Sequence, residues 1–135
     1  MKHISIPVVF VALIIVLSAF RQDQTFDLNA SIARGEEIYL YYCITCHGDK
    51  GQGVETVYPP LAKSDYLMAD KKRSVSVVLK GLTGEIKVNG ATYNADMAKA
   101  DLNDEEISDV LNYVRNSFGN KGDAVKPDEV KALRN

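Results

Sequence analysis

Five consecutive residues, Cys43-Ile44-Thr45-Cys46-His47, constrain this chain more than any other feature. They contain both of its cysteines and one of its two histidines, and glycines follow at 48, 51 and 53. Three chemistries use such a spacing: a redox dithiol, part of a zinc site, or a haem attached through thioethers. The surrounding sequence has to discriminate between them.

A redox Cys-x-x-Cys works at the start of a helix that follows a strand, within a βαβ unit. Here the motif lies at the end of a helical pattern, and nothing upstream reads as a strand. A structural zinc ion takes four ligands. Beyond the N-terminal segment this chain offers two cysteines and one histidine, with no second cluster to complete the set. A disulfide between Cys43 and Cys46 closes a very small ring and constrains the unfolded chain little. Cys-x-x-Cys-His is instead the attachment signature of c-type haem. Each thiol adds to a vinyl group on one porphyrin edge, and the adjacent histidine ligates iron. Size argues the same way: 135 residues make one domain without a tryptophan, and so small a domain buries its apolar surface inefficiently. A haem can supply part of the core.

The chain begins with Lys2 and His3, followed by an uncharged apolar run from Ile4 to Phe20. That length falls between a signal-peptide core and a spanning helix. Leu17-Ser18-Ala19 is an imperfect cleavage site, because leucine is large for its position. The expectation is a signal peptide or N-terminal membrane anchor over residues 1–20 and a polar linker over 21–30. A folded domain over 31–119 and a tail over 120–135 follow. Either form of the leader implies a periplasmic domain, soluble or anchored to the outer face of the cytoplasmic membrane.

Periodicity predicts an all-α domain with one hairpin. In SIARGEEIYLYYC, Ile32, Gly35, Tyr39 and Tyr42 share a stripe, with Ser31 or Asn29 as the cap. Residues 48–67 carry three glycines and two prolines and read as irregular. A second helix spans 70–82, with Val75, Val78, Leu79 and Leu82 as its apolar stripe and Gly81 or Gly84 beyond its end. The Asn89-Gly90 pair predicts a type I′ hairpin. From Leu102 to Gly119 runs the strongest helix. Asn103 and Glu106 form its capping box, Gly119 stops it, and Ile107, Val110, Leu111 and Val114 face inward. A last short helix starts near Pro127.

With its Gly35-x-x-x-Tyr39 helix, the CITCHGDKGQG segment, a later methionine and the DVLNYVRN helix, the chain resembles class I c-type cytochromes. The likeness covers residues 31–119. It is strongest to bacterial mono-haem domains that serve, or are fused to, periplasmic oxidases, nitrite reductases and dehydrogenases. The resemblance implies helices packed around one haem c bound through Cys43 and Cys46. The first and last helices would cross at Gly35, with Tyr39 near Val110 and Tyr113. His47 would ligate the iron on one side. The remaining axial position falls to a thioether, Met97 by the resemblance, with Met68 as the other methionine of the domain. A carbonyl from Pro59 or Pro60 would hold the imidazole, and Leu61 would pack on the haem. Tyr93 would stand near a propionate or the ligand loop, or simply pack in its strand. Ala98 occupies the place where the family usually has proline.

The implied function is to carry single electrons between redox partners such as a periplasmic oxidase, reductase or dehydrogenase, without being an enzyme. A ligand-binding or peroxidase-like haem protein is the alternative should the Met97 position stand open. A net charge of −2 leaves no nucleic-acid footprint. Basic residues gather from Lys63 to Lys99, whereas Asp101, Asp104, Glu105, Glu106 and Asp109 make the start of the last helix acidic. Such asymmetry can steer docking.

Overall fold

The computed structural model describes residues 26–134. The expected leader over 1–20, and the first half of the expected linker, lie outside the described residues. Helix α1, Leu28–Tyr42, begins before the predicted cap. Asp27, not Ser31 or Asn29, starts it, and its carboxylate accepts a hydrogen bond from the Ala30 amide at 3.0 Å. Residues 28–30 are therefore helical rather than linker. Ser31 is fully buried and points into the core instead.

A four-residue turn, α2 (Ile44–His47), continues from α1 with only Cys43 between them. Then comes an element that the prolines and glycines had obscured, α3 (Asp65–Ala69). Ser64 caps it through the Leu67 amide. Helix α4 (Lys71–Lys80) is capped by Asp70 and ends at Gly81. Leu82 therefore leaves the predicted helical stripe and pairs with Met97 in an isolated bridge. Strands β1 (Ile86–Val88) and β2 (Ala91–Tyr93) form the expected hairpin, registered Ile86 to Tyr93 and Val88 to Ala91. Asn89 and Gly90 both have positive φ, 51° and 84°, as a type I′ turn requires.

Helix α5 (Asp104–Asn116) carries the full capping box between Asn103 and Glu106. It stops short of Gly119, because Ser117 is extended and Phe118 has a φ of 56°. Phe118 turns back to pack against Tyr39 and Tyr113, with ring centroids 5.3 and 5.5 Å away. Helix α6 is Pro127–Arg134. These six helices and one hairpin surround a core that includes Tyr39, Val75, Ile107, Val110, Leu111 and Val114.

The crossing of α1 and α5 organises this core. Gly35 lies against the α5 backbone, where a Cβ would overlap the Asp109 carbonyl. Close approach brings a polar network into register. Asp109, 2% exposed, accepts from Ser31 Oγ at 2.5 Å and from Arg34 Nε and Nη2 at 2.6 and 2.8 Å. Asn112 donates to Ser31 Oγ and to the Val125 carbonyl, and its own carbonyl accepts the Val125 amide at 2.7 Å. Ser108 Oγ donates to the same Val125 carbonyl.

The stretch from Asn120 is thus part of the folded unit and not an appended tail. Val125 and Val130 are fully buried, Lys71 pairs with Glu129 at 2.6 Å, and Arg134 pairs with Asp104 at 2.6 Å. The acidic start of α5 is correspondingly not a free docking face. Asp104 holds Arg134, Glu106 completes the cap, and Asp109 is buried.

Two substitutions test this arrangement. Gly35→Ala, by forcing α1 from α5, destabilises the holoprotein by about 2 kcal/mol or more, read from the denaturant midpoint. Asn112→Ala strands the buried Val125 amide, leaves its carbonyl to Ser108 alone, and costs about 1–3 kcal/mol, with faster proteolysis after residue 119 as a second readout.

Candidate haem-binding site

The attachment segment is built by helix geometry. The amides of Cys46 and His47 both bond to the Cys43 carbonyl, at 3.3 and 3.0 Å. Residues three and four apart share a helix face, so both thiols and the imidazole are presented together. Both cysteines are free and partly buried. Burial, with a smaller contribution from Cys46, pushes the Cys43 thiol up to about 11. An activated dithiol needs the opposite shift, towards thiolate. Cys43 thus shows no shift of the kind that activates a redox dithiol.

His47 is held by one specific carbonyl. Its Nδ1 lies 3.0 Å from the Pro59 oxygen, and a carbonyl only accepts, so Nδ1 carries the proton. The lone pair is left on Nε2. Burial lowers the imidazole pKa, opposed by that hydrogen bond, and the ring stays neutral. Neutral imidazole with an oriented N–H is the form that binds a metal. Of the two prolines read from the sequence, Pro59 supplies the carbonyl and Pro60 does not.

The loop from Gly48 to Ala62 positions Pro59. Gly53 donates its amide to the His47 carbonyl at 2.8 Å, and the Val54 amide bonds the Tyr58 carbonyl at 2.9 Å. Gly53 has a φ of 67°, and a Cβ there would collide with the Tyr58 and Pro59 carbonyls. Amides of Leu61 and Ala62 both reach the Gly51 carbonyl at 2.8 Å. The partly buried Leu61 packs on the core, and its carbonyl accepts from Asn120 Nδ2 at 2.8 Å. From α1, Tyr39 donates its hydroxyl to the Gly48 carbonyl at 2.6 Å.

The remaining predicted residues sit on other elements. Met97 is partly buried and pinned to Leu82 by two backbone hydrogen bonds of 2.9 Å. The Ala100 amide bonds the Val78 carbonyl at 3.1 Å, so this loop is fastened at Met97 and again three residues later, beside the end of α4. Met68 packs against the core cluster beside Gly122 and Arg115, a structural role. The Tyr93 ring is buried in β2 opposite Ile86, which accords with strand packing. Asn120, which ties Leu61 to the Val114 carbonyl, and Phe118 were not legible as parts of the site. Their places depend on the turn after α5, which no local pattern announces.

The donor set fits a c-type haem: two free thiols and a neutral imidazole with a free Nε2, presented on one helical turn. Fold and site together define a small helical c-type cytochrome of class I. The family model described as "Cytochrome c" matches residues 32–118, and the chain belongs to that family. Membership implies a haem c cofactor and the work of a haem electron carrier. The chain is 40% identical over 112 residues to cytochrome c-552 of Thermus thermophilus, covering 76% of this chain and 85% of that protein. It is 30% identical over 103 residues to the cytochrome c subunit of the quinone alcohol dehydrogenase of Gluconobacter oxydans strain 621H. That match covers 74% of this chain and 22% of the subunit.

Gly53→Ala should displace the Pro59 carbonyl and cost about 1–3 kcal/mol through strain. A weaker bond to Nδ1–H makes the imidazole a poorer donor, so the expected signature is a higher midpoint potential in the variant, measured against the parent protein.

Proposed function

We propose that this protein carries single electrons through one covalently bound haem, with His47 and Met97 as the axial pair, outside the cytoplasmic membrane. The observation that carries the reading is the Pro59-held, neutral His47 beside two free thiols. When bound, the haem supplies a one-electron couple at its iron. The protein's part is to hold both axial side chains in place in either oxidation state, which keeps rearrangement small.

His47 is held by the Pro59 carbonyl, and Met97 by its bridge to Leu82. Two backbone bonds to Leu82 thus hold Met97 although the exposed Ala98 stands where proline would stiffen the loop. Thioether ligation favours reduced iron and raises the potential. The carrier role calls for no general acid, base or nucleophile, and the protein is not an enzyme in its own right. Kinship with a dehydrogenase's cytochrome subunit supports redox enzymes as partners. The apolar run over residues 4–20 supports a periplasmic setting, with the domain soluble or held at the membrane.

The test is a visible spectrum of the reduced, haem-loaded protein before and after carbon monoxide. An unchanged spectrum is expected, because both axial positions are filled. A shift in the parent protein would move the function to ligand binding or peroxidase-like chemistry. Met97→Ala should bind carbon monoxide and lower the midpoint potential, whereas Met68→Leu should do neither. Haem staining after denaturation, with Cys43→Ser and Cys46→Ser as controls, reports the covalent attachment.

A further inference from the structure

Asn89 is the only asparagine of the chain that is followed by glycine. Asparagine is a thermolabile residue, and a glycine after it has no side chain to shield its amide nitrogen from the asparagine Cγ. Here the pair forms the exposed tip of the β1–β2 hairpin. A Cβ at Gly90 would meet nothing within 4 Å, and the Gly90 amide has no backbone partner among the described residues. Nucleophile and amide therefore stand side by side in water.

Two features hold them apart. The first is the turn. At the first central position of a type I′ turn ψ is about +30°, which turns Cβ and the following nitrogen away from each other. Closing a ring between Asn89 Cγ and the Gly90 nitrogen thus requires the tip to open. The second is a clasp to α3 that opposes this opening. The Asp65 amide donates to Asn89 Oδ1 at 3.0 Å, and the Asn89 amide donates to Asp65 Oδ1 at 2.8 Å. That carboxylate oxygen also accepts the Tyr66 amide at 2.6 Å, which fixes it on the first turn of α3. Asn89 Nδ2, by contrast, makes no hydrogen bond among the described residues.

We propose that Asn89 is a self-deamidation site whose rate is set by the Asp65 clasp. Once the tip opens, hydroxide takes the Gly90 amide proton and the nitrogen bonds to Asn89 Cγ. The Cγ–Nδ2 bond breaks, ammonia leaves, and a cyclic imide remains. Water adds to one of the two ring carbonyls and opens the ring, leaving aspartate or isoaspartate at position 89. No oxidant, reductant or cofactor takes part. Aspartate sets a second carboxylate beside that of Asp65, and like charges at close range repel. Isoaspartate adds a methylene to the main chain of a two-residue loop, and the loop fixes the register that pairs Ile86 with Tyr93. Either product loosens the strand that leads into the Met97 loop.

The test is mass spectrometry of the haem-loaded protein kept at mildly alkaline pH. The peptide containing Asn89 is read for replacement of its amide by a carboxyl and for isoaspartate. Expected is slow conversion in the folded parent and fast conversion in the parent unfolded in urea. Asp65→Ala, which removes the charged acceptor of the Asn89 amide, should convert at least about tenfold faster than the folded parent. Asp65→Asn keeps an acceptor there and should stay near the parent rate. Should Asp65→Ala fail to fold, Asp65→Ser, with its shorter side chain, takes its place. Asn89→Asp should be cleaved by protease at the hairpin faster than the parent, and equal cleavage would overturn the loosening. No conversion at 89 even in the unfolded chain would overturn the site. A folded Asp65→Ala that converts no faster than the parent would overturn the restraint.

Discussion

Everything in this fold depends on how closely α1 can lie against α5. A glycine at 35 removes the only side chain that would separate the two backbones, and the Asp109 carbonyl fills the space. Only at that distance do Ser31 and Arg34 reach the Asp109 carboxylate, and only then does Asn112 reach Ser31. A carboxylate taken out of water is expensive unless charge and hydrogen bonds replace its hydration. Here a bidentate guanidinium and a hydroxyl do so. The network rewards the one crossing geometry that satisfies it.

From that crossing the site follows. Helix α1 delivers Cys43 at its end, and the next turn sets Cys46 and His47 on the same face. Tyr39, packed between Tyr113 and Phe118, holds the Gly48 carbonyl at the start of the loop that carries Pro59. The histidine is thereby oriented from the helix and from the loop at once. Beside the same crossing, the Asn112 that bonds Ser31 also gathers Val125, so the C-terminal stretch is tied to the core that supports the site.

Much of the architecture was legible because its signals are local. The capping box at Asn103 and Glu106, the Asn89-Gly90 turn and the stripe through Ile107, Val110, Leu111 and Val114 each depend on residues within one or two turns of one another. Other elements were hidden by competing signals. Helix α3 follows two prolines and three glycines, yet Ser64 and Asp65 make a good start for it. Leu82 fits a helical stripe by spacing, but Gly81, with a φ of 80°, ends the helix and passes Leu82 to the Met97 bridge. The acidic run on α5 reads as a solvated face until Arg34 and Arg134 are brought to it from 75 and 30 residues away.

By itself the sequence determined the chemistry. Two thiols and an imidazole in five positions form the attachment signature of c-type haem, and the sequence around them set the rival chemistries aside. The hairpin and the major helices were determined the same way. What only the tertiary structure decided was which carbonyl orients His47, where Asp109 finds its counter-charge, and that the C-terminal stretch belongs to the core. Each of these is a contact between segments far apart in the chain. Long-range pairing of polar groups is settled by the geometry of packed elements, and a linear pattern carries no record of it.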